Sequence, residues 1–195
     1  MKKINVQKLV GIAMLAAIVV VLQYIGNFIK FGSVSISLVL LPIVVGAAIY
    51  GPSAGAILGG VFGAVIIIGY LSGNADFLWL ANPVATAIVC IIKGCGAGFV
   101  SGLAYKFFAT RNIKSGRVIG AYSAAVVCPV VNTGIFLLAM FTIFREQLIS
   151  IAGGTNTVYF AFVVLAGVNF IVELAVNVVL APVIVGIMNA VRVRR

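Results

Sequence analysis

The stretch that decides the fold is SAGAILGGVFGAVIIIGYL, residues 53–71. It carries no charged side chain and has the length of roughly 20 residues that an apolar span across a bilayer needs. Gly55, Gly59 and Gly63 recur in it at every fourth position, so they form one smooth stripe on a helix. Small residues at this spacing let two helix backbones approach closely, which matters in lipid because there is no hydrophobic driving force between helices. The segment therefore predicts a membrane-spanning helix packed tightly against a neighbour.

The same spacing recurs in two other apolar segments. Gly94, Gly98 and Gly102 form a stripe in the segment from about 84 to 108, and we expect it to mediate helix packing within the bundle. Ala13 and Ala17 repeat the spacing near the start of the chain. On a peripheral helix an outward stripe of this kind could dock a partner subunit, whereas on an inner helix it would pack the bundle. The spacing leaves both readings open.

The composition of the whole chain is that of a membrane protein. Of its 195 residues, 64% are apolar and 8% are charged, whereas a soluble domain is about half apolar and a quarter charged. The predicted fold class is an all-α integral membrane protein, a six-transmembrane-helix bundle forming a single domain over residues 1–195. The last span is too long for a bilayer, so we expect it to tilt or project into the cytoplasm. The predicted spans cover approximately residues 9–28, 38–50, 53–71, 84–108, 118–144 and 158–191.

The connections between the predicted spans have their own patterns. Residues 33–38 alternate polar and apolar side chains, and period-two alternation favours an extended segment. Gly51-Pro52 is a strong turn signal. Residues 72–83 and 145–157 are expected to be polar loops.

The charges predict the orientation. The chain has 13 Lys and Arg against 3 Asp and Glu, with no His. In the six-span arrangement Lys30 and Arg145 lie outside and Lys93 lies within a span. Basic residues collect at the cytoplasmic ends of membrane helices, so both termini are predicted to be cytoplasmic, and the net charge of +10 requires no nucleic-acid partner. The basic residues on the cytoplasmic side are Lys2, Lys3, Lys8, Lys106, Arg111, Lys114, Arg117, Arg192, Arg194 and Arg195.

Lys93 and Glu173 are the ionisable residues expected deep in the hydrocarbon. A charge at the bilayer centre costs about 2.5–3.5 kcal/mol on insertion scales, so each must face the bundle interior or find a partner. The two residues either pair with each other or meet different groups of a polar ligand. Asn169 and Asn177 share one helix face with Glu173, because the three residues are spaced by four.

The fifth span adds a polar pair, Asn132-Thr133, about halfway between Arg117 and Arg145. Pro129, three residues before Asn132, frees a main-chain carbonyl and can bend the helix around a cavity. These polar residues are either hydrogen-bonding contacts between helices or the wall of a ligand cavity. Intramembrane ionisable groups favour the cavity.

The residue patterns that metal binding, phosphate binding or catalysis would need are missing from the sequence. There is no His, and Cys90, Cys95 and Cys128 have no metal-site spacing, so we predict no metal and no cofactor. The glycine-rich residues 94–98 lack the Lys-Ser/Thr ending of a phosphate loop. We therefore predict that the chain is not an enzyme and does not itself hydrolyse ATP.

Three segments together resemble a known family. They are SISLVLLPIVVGAAIYGPSAGAILGGVFG (35–63), KGCGAG (93–98) with Tyr105-Lys106, and PVVNTGIF (129–136). Their order and spacing resemble those of the S components of energy-coupling factor (ECF) transporters, over essentially the whole chain. The size, the six spans and the Ala13-x-x-x-Ala17 pattern also fit.

The resemblance implies a high-affinity binding subunit for a vitamin or similar micronutrient, in a plasma membrane of bacterial type. It implies partners: a membrane coupling protein, which Ala13 and Ala17 would face, and two cytoplasmic ATPase subunits. It also implies a cup open to the outside and capped by residues 27–37 and 76–82. The implied substrate-binding residues are Asn27, Trp79 and Asn82 in the caps, and Lys93, Asn132, Thr133, Phe136, Asn169 and Glu173 in the wall.

The substrate and one alternative function remain open. A single Lys with an Asn/Thr patch suits a carboxylate or hydroxyl-bearing molecule such as pantothenate, whereas 13 Phe, 6 Tyr and 1 Trp equally suit a stacked flavin or pterin. The alternative is a stand-alone secondary transporter of a small organic solute. Such carriers usually show two repeated halves, and residues 1–98 and 99–195 show no convincing repeat.

Overall fold

The computed structural model describes residues 6–28, 30–31, 34–35, 38–111 and 115–193. These ranges are helical apart from short connections and one small hairpin. The elements in chain order are α1 (Val6–Phe28), β1 (Lys30–Phe31), β2 (Val34–Ser35), α2 (Leu40–Tyr50), α3 (Pro52–Leu71), α4 (Phe77–Ala81), α5 (Pro83–Ala109), α6 (Gly116–Thr142), α7 (Arg145–Ala152), α8 (Thr157–Tyr159), a π-helical segment (Phe160–Leu165), α9 (Gly167–Val179) and α10 (Ala181–Val193).

The helix lengths confirm an all-α, multi-pass membrane protein. Five segments in the described part of the chain are long and apolar enough to cross a bilayer. The predicted second span is α2, which has 11 residues and a length of about 16 Å. It is too short to cross about 30 Å of hydrocarbon by itself, so six spans and cytoplasmic termini stay predictions. The five long segments are Val6–Gly26, Pro52–Leu71, Pro83–Ala109, Gly116–Thr142 and Thr157–Val179.

The two glycine stripes face each other, as the packing prediction requires. Helices α3 and α5 run antiparallel, with Gly55 against Gly98 and Gly59 against Gly94. A Cβ atom on any of these four glycines would collide with the facing backbone. One turn further along, a Cβ atom on Gly63 would lie 2.6 Å from the carbonyl oxygen of Cys90. The two backbones are therefore in direct contact, with no side chain between them.

Helix α2 lies at the centre of the bundle. It contacts α1, α3, α5, α6, α9 and α10, and its residues from 42 to 48 are all buried. Such enclosure explains why the segment is apolar on every face. It is joined to α3 by one residue, Gly51, whose φ of 96° favours glycine. The two helices fold back on each other, with Leu58 of α3 against Gly46 of α2.

Helix α1 lies at the periphery. Val19 is the one fully buried side chain in the part of α1 whose side chains are described. Its outward face is mostly apolar, with Val10, Met14 and Val21 more than half exposed. A helix with so little of its surface against the bundle is covered by lipid or by another protein.

The prediction of one continuous helix over 158–191 was wrong. The chain forms α8, a π-helical segment, α9 and α10 over this region, with a break at Leu180. Pro182 explains the break, because it lacks a backbone N–H and its ring clashes with the carbonyl four residues earlier. The segment that is long and apolar enough to span the bilayer therefore ends at Val179, and α10 follows as a separate helix.

Two predicted loops contain helices. Helix α4 lies within residues 72–83, and α7 occupies most of residues 145–157. The predicted extended segment is confirmed where it is described: Phe31 pairs with Val34, and Lys30 with Ser35, in an antiparallel hairpin. Residues 33, 36 and 37 of that prediction lie outside the described residues.

Gly59→Ala is expected to destabilise the bundle, because the new methyl group meets the backbone of Gly94. Overpacking typically costs about 1–3 kcal/mol, and backbone atoms cannot rotate away. The measurement is thermal unfolding in detergent. Gly69→Ala is the matched control on the same helix, since its Cβ would meet nothing within 4 Å. Equal effects of the two substitutions would contradict the contact.

Candidate functional site

Five of the predicted wall residues meet in the interior between α5, α6 and α9. They are Lys93 on α5, Asn132 and Phe136 on α6, and Asn169 and Glu173 on α9. Asn132 and Glu173 are almost completely buried, at 6% and 3% exposure. The Asn132 and Lys93 side chains both lie close enough to the Glu173 carboxylate to interact with it. We refer to these five residues, together with Asn177, as the polar cluster.

Glu173 is held by the two asparagines on its own helix. The Asn169 side-chain amide donates a hydrogen bond to Glu173 Oε1 at 3.2 Å. One turn further on, the Asn177 amide donates to the main-chain carbonyl oxygen of Glu173 at 2.8 Å. Residues four apart lie above one another on a helix, so the spacing noted in the sequence produces both bonds. The Asn169 bond holds the carboxylate, whereas the Asn177 bond holds the main chain at Glu173.

Lys93 lies near Glu173 but does not form the ion pair with it that was one of the two predicted alternatives. Its Nζ lies 5.7 Å from the centroid of the Phe136 ring, within the range of a cation–π contact. It also interacts with Glu173 through space. The second carboxylate oxygen of Glu173, Oε2, nevertheless has no hydrogen-bond partner. The cation and the anion are therefore neighbours without a closed ion pair.

The polar cluster holds four buried oxygen atoms without a hydrogen-bond partner. They are Oδ1 of Asn132, Asn169 and Asn177, and Oε2 of Glu173. Turning the amides of Asn169 and Asn177 would not relieve this, because it would break their bonds to Glu173. Buried polar groups in proteins are generally paired. Four acceptor oxygens of the cluster therefore remain without a donor.

Thr133 lies beside the polar cluster but faces another space. It lines a cavity of about 190 Å³ between α6 and the last span. Phe162 of the π-helical segment and Phe170 of α9 lie on the opposite wall. The structure thus separates Thr133 from its neighbour Asn132, because adjacent residues on a helix point about 100° apart.

The predicted cap residues between α3 and α5 have structural partners. Asn82 is exposed, and its Oδ1 accepts a 3.0 Å hydrogen bond from the Ala85 backbone amide, which makes it the N-cap of α5. The Trp79 ring lies 5.3 Å from the Tyr70 ring. The side chain of Asn27 lies outside the described residues.

Asp76 organises this connection and was not among the predicted site residues. Its Oδ2 accepts a 2.7 Å hydrogen bond from the Tyr70 hydroxyl, and its Oδ1 accepts one from the Trp79 amide at 2.9 Å. One carboxylate therefore caps α4 and ties it to the end of α3. The sequence signal is an acid three residues before the amide that it caps.

Asn177 and Cys128 are further residues of the site that the binding prediction omitted. Asn177 has 1% exposure and Cys128 has none, and Cys128 lies near enough to Glu173 to interact with it. The spacing by four pointed to Asn177. Nothing in the sequence pattern distinguished Cys128 from a packing residue. Among the described residues, no three His, Cys, Asp or Glu side chains lie together as a metal site would need.

Comparison with known proteins identifies the family. A family model described as "ECF transporter, substrate-specific component" matches residues 7–185. The chain belongs to this family. Neither the curated proteins nor the solved structures that were compared include a significant match. The family match confirms the resemblance seen in the three sequence segments.

Membership of this family determines the general role of the chain as an S component. It is the substrate-specific subunit of an ECF transporter, a membrane protein and not a member of an enzyme family. S components work with a membrane coupling component, with ATPases and with a transported substrate. Two features are candidates for these contacts. The buried polar cluster is the candidate for the substrate, and the exposed face of α1 is the candidate for the coupling component.

Asn82→Ala is expected to lower the free energy of unfolding by about 1 kcal/mol, because loss of an N-cap side chain typically costs that much. Substrate affinity should change little, since the Asn82 side chain is exposed and bonded to its own helix. Asn82→Ser is the control, because serine also caps helices well. The measurements are thermal unfolding and ligand titration. Weakened substrate binding by a stable Asn82→Ser protein would show that Asn82 belongs to the binding site.

Proposed function

We propose that this S component captures a vitamin or related micronutrient from outside the cell and delivers it to an ATP-driven ECF importer. The observation that supports this proposal is the polar cluster, with four unpaired oxygens and one lysine in the interior. An unpaired buried polar group costs about 1–3 kcal/mol. Residues that served only to join helices would be expected to pair with each other. A ligand that donates hydrogen bonds would satisfy them.

The chemistry of the cluster narrows the substrate class. Four acceptor oxygens favour a molecule with several O–H or N–H groups, and Lys93 favours a molecule that also carries an acceptor or a carboxylate. A hydroxyl-bearing carboxylic acid of the pantothenate type has both. Phe136, already in contact with the Lys93 ammonium, would provide the apolar side of the site.

Closure of the proposed cup rests on two segments. Strand β2 contacts α9, the helix that carries Glu173. On the other side, Asp76 holds α4 against the end of α3. We assign both segments to the outer face, on the six-span arrangement with cytoplasmic termini that the basic residues predict.

The proposed docking surface for the coupling protein is the outer face of α1. Ala13 and Ala17 are both exposed, which supports a stripe that faces a partner and not the interior of the bundle. Small residues four apart allow a second helix to approach closely. The coupling protein and two cytoplasmic ATPase subunits would complete the importer.

Mass spectrometry of small molecules that co-purify with the protein is the experiment that identifies the substrate. Lys93→Ala is then expected to weaken binding of the identified compound at least tenfold, about 1.4 kcal/mol. Titration of the purified protein without an ion gradient measures this. Lys106→Ala, a second lysine on α5, is the matched control. Unchanged affinity in a folded Lys93→Ala protein would remove Lys93 from the site.

Ala13→Trp and Ala17→Trp are expected to leave substrate binding intact and to abolish uptake, because an indole ring would hold the coupling protein away from α1. Uptake by cells and binding by the purified protein measure the two effects. Leu138→Trp is the control, since Leu138 is equally lipid-exposed on α6. Loss of binding together with uptake would mean that the stripe packs the bundle. Uptake that persists without the ATPases would favour the secondary transporter.

A further inference from the structure

Two neighbouring apolar cavities, both shallow and wide open to the outside of the bundle, lie along α5 and α6 at the end where α5 stops and α6 starts. One has a volume of about 540 Å³ and the other about 610 Å³. They share Ala104, Phe108 and Val127, so they lie on either side of one ridge. We call the pair the twin groove.

The depth of the twin groove matches one half of the bilayer. On α6 its lining extends from Val118 to Val127, a rise of about 14 Å. Half of the hydrocarbon thickness is about 15 Å. The groove therefore accommodates acyl chains of a single leaflet and does not continue across the membrane.

The rim of the twin groove is basic. Lys106 lines one cavity and stands in the last turn of α5, and Arg117 follows in the first turn of α6. The Arg111 guanidinium lies over the ring of Phe107, 4.2 Å from its centroid, and Phe107 also lines the groove. This stacking holds a third positive charge beside the opening.

No acidic side chain offsets these charges. The three acids of the chain are Asp76, Glu146 and Glu173. Asp76 precedes α4 and Glu146 lies in α7, both at the other end of α5 and α6, while Glu173 is buried in the polar cluster. The positive-inside pattern assigns the basic rim to the cytoplasmic leaflet, which contains anionic lipids.

We propose that the twin groove is a binding site for an anionic phospholipid of the cytoplasmic leaflet. One acyl chain lies on each side of the Phe108 ridge, and the headgroup phosphate accepts hydrogen bonds from Lys106 and Arg117, with Arg111 beside it. Basic pockets between membrane helices on the cytoplasmic side are the recognised chemistry of such sites. The proposal is independent of the substrate assigned to the polar cluster.

Native mass spectrometry in a mild detergent, with added dioleoylphosphatidylglycerol or dioleoylphosphatidylcholine, tests the proposal. The wild-type protein is expected to bind the anionic lipid more tightly than the zwitterionic one. The double variant Lys106→Gln/Arg117→Gln should weaken binding of the anionic lipid about thirtyfold, as expected for two basic side chains near a lipid phosphate. Arg145→Gln, which removes a basic residue at the other end of the bundle, should leave it unchanged.

A second variant tests the groove itself. Ala104→Leu adds bulk at a position that lines both cavities, so it should weaken binding of both lipids while retaining the preference between them; Ala81→Leu, at an exposed position on α4, is its control. Equal binding of the two lipids by the wild-type protein would overturn the proposal. Equal losses with Arg145→Gln, or no effect of Ala104→Leu, would also overturn it. Loss of uptake by the Lys106→Gln/Arg117→Gln variant, with its binding of both lipids unchanged, would overturn the proposal and assign the groove to the coupling protein.

Discussion

The architecture depends on the direct backbone contact between α3 and α5. In a membrane, lipid tails are as apolar as the helices, so association relies on close packing and hydrogen bonds. The glycines at 55, 59, 94 and 98 place two helices at a separation that a single methyl group would prevent. The two helices therefore form one closely packed pair. Helices α2 and α6 pack on it, and α6 in turn positions α9 and the polar cluster.

The polar cluster has a different character from this helix pair. Glu173 and the asparagines on its helix are locally paired, yet their remaining oxygens point into the interior without donors. Low dielectric surroundings make such unpaired groups costly and make a well-placed donor valuable. In the substrate site that we propose, the same arrangement would preorganise the acceptors and favour an occupant with several O–H or N–H groups.

Much of the fold could be predicted from local patterns. The apolar runs placed α3, α5 and α6 within two residues of their observed ends, and the glycine spacing predicted the tight packing. The break at Leu180 was missed because Pro182 was read within a long apolar run. Helix α7 was missed because Gly153, Gly154 and Thr155 gave the whole connection a loop-like composition.

For the site, helical spacing predicted that Glu173 lies on one face with its asparagines. The separation of Thr133 from Asn132 and the capping by Asn82 could not be predicted in this way, because they depend on how the helices are oriented in three dimensions.

The short, enclosed α2 has a consequence for how the protein enters the membrane. A segment of 11 residues is below the length at which the hydrophobicity of a single helix holds it across a bilayer. One glycine separates it from α3, which is long enough. We therefore expect the two to insert as a unit, with α3 retaining α2 until α5, α6 and the last span close around it. On that expectation, the insertion of α2 depends on segments that are synthesised after it.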